Sequence, residues 1–175
     1  MTQSNVLVLT VSQGLRRVKK LKGLLAEAQT RATQGSTWVE GKEPSFAFEE
    51  QRKLRTGFQG EIIRLETAIA RANALTRITV EGREVTLAQA IRELQELKAD
   101  LAWLPQLILR AGTEESSEYV YDEVTGRNIP RSKSVTHKAA LTEPARVAEI
   151  QALRDRFETI NDAVETANHR TAIEL

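Results

Sequence analysis

The sequence has no cysteine, which excludes disulfide bonds, thiolate metal sites and a cysteine nucleophile. It has only 4 prolines and 9 glycines in 175 residues, so it is neither collagen-like nor a proline-rich disordered chain. The 25 basic and 24 acidic residues nearly cancel, so no overall field attracts nucleic acid or an anionic membrane. This composition predicts one globular domain over residues 1–175, in a reducing compartment such as the cytoplasm.

Long apolar runs are absent as well. The run from Val6 to Val11 is six residues long, includes Thr10, and follows no basic segment. A membrane-spanning helix needs about 20 apolar residues, and a secretory signal begins with a basic segment. We therefore expect a protein that is neither secreted nor membrane-spanning and that binds no membrane.

Helix formers dominate the residues that are present. Apolar residues spaced alternately three and four positions apart predict a mainly α fold with four long helices. The predicted helices run from Ser4 or Asn5 to residues 33–35, from about Ser45 to Leu75, from Leu87 to about Ala111, and from Thr142 or Glu143 towards residue 175. Their heptad spacing predicts an antiparallel bundle or paired helical hairpins.

Glycine and proline predict local features within these helices. Gly57 and Gly60 each lower helix stability by about 1 kcal/mol relative to alanine, so we expect a neighbouring helix to approach closely there. Pro105 removes one backbone hydrogen bond inside the third helical pattern. A kink is therefore expected at that position.

The stretch between the second and third helices predicts a short β-hairpin at about residues 78–85. Glu81 and Gly82 separate two runs of β-branched residues, and the glycine supplies positive φ. Thr86 and Gln89 have the spacing of a capping box, which marks the start of the next helix.

Residues 112–141 predict a longer two-stranded β arm, at about residues 118–141, that projects from the domain or packs on it. Alternating residues typical of strands flank a turn signal, and we expect a loop of about ten residues. Because an isolated hairpin is marginally stable in water, the arm is expected to lie on the bundle or on a partner chain.

Seven apolar or aromatic side chains are candidates for contact with a partner. Trp38 lies in a polar loop, where it either packs over one end of the bundle or anchors a partner. The end of the third helix is apolar on nearly all sides, which indicates burial against a second subunit. The seven candidates are Trp38, Trp103, Leu107, Leu109, Tyr119, Tyr121 and Val135.

A nucleic-acid interface is the alternative function. Basic residues cluster on the first helix, and two arginines lie on the arm beside tyrosines that can stack on bases. A solvated or salt-bridged helix face is the simpler interpretation, because no aromatic or glycine residue interleaves the basic cluster. The candidates are Arg16, Arg17, Lys19, Lys20, Arg127 and Arg131.

The sequence contains no constellation that indicates catalysis. Its two histidines, His137 and His169, are too few for a di-metal site in a helical bundle. It has no glycine-rich phosphate loop and no serine-hydrolase motif. We therefore expect no enzyme, no cofactor and no metal.

The layout resembles a family of small bacterial helical proteins described as septicolysin-like, for which no biochemical function is established. The resemblance covers nearly the full length. Its most specific parts are the loop EGKEP at Glu40 to Pro44, the run ARANALT at residues 70–76, and G-x-x-V-T-L-x-x-A-I from Gly82 to Ile91. The family has an asparagine pair where this chain has only Asn73. The resemblance implies the helical fold, and it carries over no functional residue and no toxin-like activity.

These patterns together predict a non-catalytic structural or interaction protein. Heptad seams on all four helices exceed what a compact monomer needs, so we expect a homo-oligomer. Arms that order on neighbouring subunits are also useful in larger assemblies, including a phage or prophage particle.

Overall fold

The structure, a computed structural model, describes residues 7–175. This part of the chain is mainly α, as the sequence predicts, and its strands form three antiparallel pairs. The helices are α1 (Val11–Gln34), α2 (Phe48–Leu75), α3 (Leu87–Trp103) and α4 (Glu143–Arg170). The strands are β1 (Val8–Thr10), β2 (Arg77–Val80), β3 (Arg83–Thr86), β4 (Gly112–Asp122), β5 (Arg127–His137) and β6 (Ala172–Glu174).

The chain forms two compact units. Of the described residues, the first unit has 7–95 together with Glu158–Leu175, and it contains α1, α2 and four of the strands. The second consists of Glu96–Phe157 and contains β4 and β5. Helices α3 and α4 each contribute residues to both units.

The start of α1 differs from the sequence prediction. Ser4 and Asn5 lie outside the described residues, and the segment Val8–Thr10 is a strand. The helix begins after Thr10, whose hydroxyl accepts a hydrogen bond from the Gln13 backbone N–H at 3.2 Å. The Gln13 side chain in turn accepts one from the Thr10 N–H at 2.9 Å. This capping box satisfies two backbone donors and fixes the helix start.

The core of the first unit lies where α1 packs against α2. Gly14 lies against Ile69 and Gly35 lies against Phe46, so the two helices run in opposite directions. Burial of each large aliphatic side chain in this core contributes about 1.5–3 kcal/mol to stability. The buried cluster consists of Val11, Val18, Leu21, Ile62, Leu65, Ile69 and Ile173.

The close approach expected at Gly57 and Gly60 occurs at Gly14 instead. A Cβ atom added at either Gly57 or Gly60 would meet no heavy atom within 4 Å, so that prediction is wrong. A Cβ at Gly14 would lie 2.7 Å from the Cδ1 atom of Ile173. Gly14 therefore has a packing role, because its missing side chain makes room for β6.

Strands β1 and β6 pair antiparallel, although they lie near opposite ends of the described residues. Backbone hydrogen bonds from Leu175 N–H to the Leu7 carbonyl and from Val11 N–H to the Thr171 carbonyl extend the pairing at its two ends, at 3.1 and 2.9 Å. Ile173 at the centre of β6 is buried in the core. The strand pair thereby closes one side of the α1–α2 core.

The short β-hairpin predicted between α2 and α3 is confirmed. Its turn residues Glu81 and Gly82 have φ values of +50° and +75°, the pattern of a type I′ turn. The predicted capping box that follows is half formed. Gln89 N–H donates to the Thr86 hydroxyl at 3.1 Å, but the Gln89 side chain donates to Glu93 instead of returning to the backbone of Thr86.

Helix α3 ends earlier than its apolar pattern predicts. The helix was expected to reach Ala111 with a kink, but it stops at Trp103 and continues as a single 3₁₀ turn over Leu104–Gln106. Pro105 has no N–H to donate, and its ring clashes with the carbonyl four residues earlier. Ile108 follows the 3₁₀ turn and is exposed.

Candidate assembly interface

Strands β4 and β5 form a long hairpin, called the arm here, in the second unit. They pair over eleven residues, from Gly112 opposite His137 to Asp122 opposite Arg127. Four residues join them, not the predicted loop of about ten, and the strands begin before residue 118. All residues of β4 are exposed except the partly buried Asp122, and β5 is exposed except for Val135 and His137. Both faces and both edges of the arm are therefore open to a partner.

Hydrogen bonds to one carboxylate hold the turn of the arm. Asp122 accepts from the Val124 backbone N–H at 3.1 Å and from the Thr125 hydroxyl at 2.6 Å. These bonds favour the ionised carboxylate, and the bond from Thr125 contributes most to lowering the pKa of Asp122. Gly126 then takes positive φ and donates to the Asp122 carbonyl at 2.8 Å. The turn is thus specified by side-chain and backbone bonds together.

The register separates the predicted contact residues of the arm onto two faces. Tyr119 and Tyr121 share one face and are 71% and 62% exposed. Tyr119 lies directly opposite Pro130, which extends the ring surface. Val135 belongs to the other face, opposite Glu114. Alternation along a strand sends neighbouring side chains to opposite faces, so both faces carry candidates.

The second face of the arm has an apolar pair with charged residues on either side of it. Val120 lies opposite Ile129, and both are exposed. This pair is not among the contacts predicted from the sequence, although the sequence shows apolar and charged residues at alternate positions here. Glu118 lies opposite Arg131 and is 3.5 Å from Lys133 Nζ. This face therefore offers an apolar centre flanked by charges of both signs.

The segment before the arm presents the other predicted contacts of the second unit. Trp103 is 57% exposed, while Leu107 and Leu109 are partly buried and lie outside the helix. The guanidinium of Arg146 holds this segment in place by donating to the Leu107 carbonyl at 2.8 Å and to Glu143 at 2.6 Å. Trp103 is thus exposed in the single chain, and its predicted burial against a second subunit stays a prediction.

Trp38 is 60% exposed, and its neighbour Val39 is also exposed. The interpretation that Trp38 packs over one end of the bundle within this chain is therefore wrong. Its loop lies between α1 and α2, in the first unit. The alternative interpretation of Trp38 as an anchor for a partner stays a prediction.

On α1, one of the four basic candidates of the alternative interface is paired with an acidic residue. Arg17 Nε donates to Glu61 at 2.7 Å, which makes part of the basic face of α1 an ion-paired surface. Arg16 bonds to Ser12 on its own helix, and Lys19 and Lys20 are exposed.

The two arm arginines also lie beside acid groups, because Arg127 and Arg131 are directly opposite Asp122 and Glu118. The arm carries five carboxylates against three basic side chains over residues 112–137. Its net charge opposes nucleic-acid binding.

Residues 7–175 contain no group of three or more His, Cys, Asp or Glu side chains that could hold a metal ion. In the same part of the chain, no helix combines the length and the apolar character needed to cross a membrane.

No family model and no curated protein matches this chain. The chain is similar to a solved structure described as a functionally unknown conserved protein from Corynebacterium diphtheriae. The TM-score is 0.71 at 16% identity, and the match covers 95% of this chain and 99% of that chain. Similarity at this identity shows the fold alone. The resemblance to the septicolysin-like family stays a prediction.

Proposed function

We propose that this protein is a non-catalytic structural subunit that assembles with copies of itself through the arm. The observation that supports this most is the arm itself, which is a two-stranded sheet with exposed faces and edges. Two strands without a packed face are marginally stable in water. A neighbouring copy supplies the missing contacts.

The size of the arm suits this role. Eleven residues at about 3.4 Å each give a strand about 37 Å long. The aromatic pair Tyr119 and Tyr121 provides large, rigid contact area on one face, of the kind that dominates binding energy in interfaces. The exposed Trp103 in the same unit adds a second anchor.

The helices complete the proposal. We propose that the heptad-patterned α1 to α4 pack as antiparallel pairs and add seams to the assembly, as α1 and α2 do within the first unit. A particle with other subunits, such as a phage or prophage particle, is the larger setting in which arms of this kind order on their neighbours.

Light scattering of a chromatography peak in low salt, with the absorbance ratio at 260 and 280 nm, tests the proposal. We expect a multiple of the 19.6 kDa chain mass and a protein-like ratio. The second protein is an arm-deleted variant that lacks residues 113–136. Gly112 and His137 are directly opposite, about 5 Å apart, so a short Gly-Ser linker joins them without strain. The number of chains per particle should fall while the helical circular dichroism persists.

Three other results would contradict the proposal or support the alternative function. A monomeric wild-type protein contradicts self-assembly. An oligomer that keeps the same number of chains after the deletion contradicts the role of the arm. A peak that contains nucleic acid, lost when Lys19 and Lys20 are changed to glutamine, supports the alternative function instead.

A further inference from the structure

The two strands of the arm carry opposite charge. Four carboxylates and no basic residue lie on β4, at Glu114, Glu115, Glu118 and Asp122. Three basic residues and no carboxylate lie on β5, at Arg127, Arg131 and Lys133. One edge of the arm is therefore acidic and the other is basic. This segregation makes the arm complementary to itself.

We propose that the β4 edge of one copy pairs antiparallel with the β5 edge of a second copy. This inference rests on the proposed function and names the occupant of the open edges. Two arms placed side by side, pointing the same way, bring β4 of one next to β5 of the other. These strands run in opposite directions, as β4 and β5 do within one arm. A continuous antiparallel sheet results.

The register within the arm also suits the contact between copies. Within one arm, Glu118 lies opposite Arg131 and next to Lys133 along the diagonal. The same register between copies places Arg131 between two carboxylates, one from its own arm and one from its neighbour. Opposite charges directly across two strands stabilise their pairing. The contact thus repeats a pattern that the chain already forms.

A twofold contact between identical edges is disfavoured by the same charges. Pairing β4 with β4 places carboxylates against carboxylates, and pairing β5 with β5 places basic residues against each other. Pro130 adds to the second case, because proline in an edge strand presents no N–H donor. A β5–β5 contact loses a donor from each strand, whereas a β4–β5 contact loses one in total.

The symmetry of the assembly follows from this choice. When the β4 edge of one copy pairs with the β5 edge of another, the first copy still has a free β5 edge and the second still has a free β4 edge. Such a contact is heterologous, so copies either close into a ring or continue as a filament. We therefore expect an assembly larger than a dimer at high concentration.

Two charge-reversed variants test the contact. The β4 variant has Glu114→Lys and Glu118→Lys, and the β5 variant has Arg131→Glu and Lys133→Glu. Alone, each variant brings like charges together where position 118 of one copy meets positions 131 and 133 of the next, so its dissociation constant should rise about tenfold or more. Mixed in equal amounts, the two should recover the wild-type mass. Each arm retains like charges on its own strands in the mixture, so recovery can come only from contact between copies.

Two controls complete the experiment. A chain with all four substitutions again has opposite charges at position 118 and at positions 131 and 133, and it should assemble, which shows that the substituted arm still folds. Glu40→Lys and Glu43→Lys make the same charge change in the exposed loop before α2 and should leave the mass unchanged.

The inference is overturned if the β4 variant alone retains the wild-type mass. It is equally overturned if the mixture stays dissociated although the chain with four substitutions assembles. In both cases the wild-type protein is still an oligomer and the proposed function stands. A monomeric wild-type protein removes the proposed function itself, so the two failures are distinguishable.

Discussion

Replacing Gly14 with alanine tests how α1 packs against β6 and α2. The added Cβ would lie 2.7 Å from Ile173 Cδ1 and 3.2 Å from Ile69 Cδ1. Favourable contact between carbon atoms needs about 3.5–4.0 Å, so both side chains must move. Both atoms end flexible side chains, and the typical cost of such overpacking is about 1–3 kcal/mol.

The helix propensity of alanine opposes this cost. Alanine is more favourable than glycine by about 1 kcal/mol inside a helix. The Gly14→Ala variant should therefore range from unchanged to about 2 kcal/mol less stable than the wild-type protein. Gly23 provides the matched control on the same helix, because a Cβ there would meet nothing within 4 Å. Gly23→Ala should gain the full propensity term.

Urea denaturation measures the difference between the two variants, provided that their m-values agree. We expect Gly14→Ala to be less stable than Gly23→Ala by about 1–3 kcal/mol. Ile173→Val removes the nearest clashing atom, so it should cost less in the Gly14→Ala background than in the wild-type protein. Equal stabilisation by both glycine substitutions would refute the packing of Ile173 against Gly14.

Three further predictions concern other parts of the chain. Glu81→Asn should raise stability by about 0.5–1 kcal/mol in thermal unfolding, because asparagine tolerates the positive φ of this turn better than glutamate. Leu65→Ala should lower the free energy of unfolding by about 2–5 kcal/mol, since Leu65 is fully buried in the α1–α2 core. The lowered pKa of Asp122 means that its ionised form stabilises the turn above the ordinary aspartate pKa and that this contribution is lost as the pH falls through the lowered value. An NMR titration of the Val124 amide should show that midpoint, and Thr125→Val should move it upward; an unmoved midpoint would contradict the hydrogen-bond explanation.

Local sequence rules predict elements whose stabilising contacts lie close in the chain. The type I′ turn follows from Glu81 and Gly82 between β-branched residues, and the start of α4 follows from the residues just before it. Apolar spacing alone predicts an α3 that is too long, because it takes no account of the backbone at Pro105. The spacing continues past that residue, but the hydrogen-bond ladder cannot.

Tertiary contacts decide the features that sequence reasoning missed. Gly14 and Gly60 both lie within helical sequence patterns. Only Gly14 is closely approached by another element, because β6 packs beside it. Strand β1 is three residues long and its partner lies at the other end of the described chain, so no local signal marks it. The arm itself was predicted, but its open faces depend on what the rest of the fold leaves uncovered.

The pairing of β1 with β6 also sets an order of folding during synthesis. Helices α1 and α2 leave the ribosome early, and their pairing is local in sequence. Strand β6 follows α4, so the surface of α1 at Gly14 stays uncovered until the residues after α4 are made. Contacts between segments so far apart form late, because closing the long intervening loop costs conformational entropy. The nascent chain therefore exposes one side of its α1–α2 core until translation has passed Ile173.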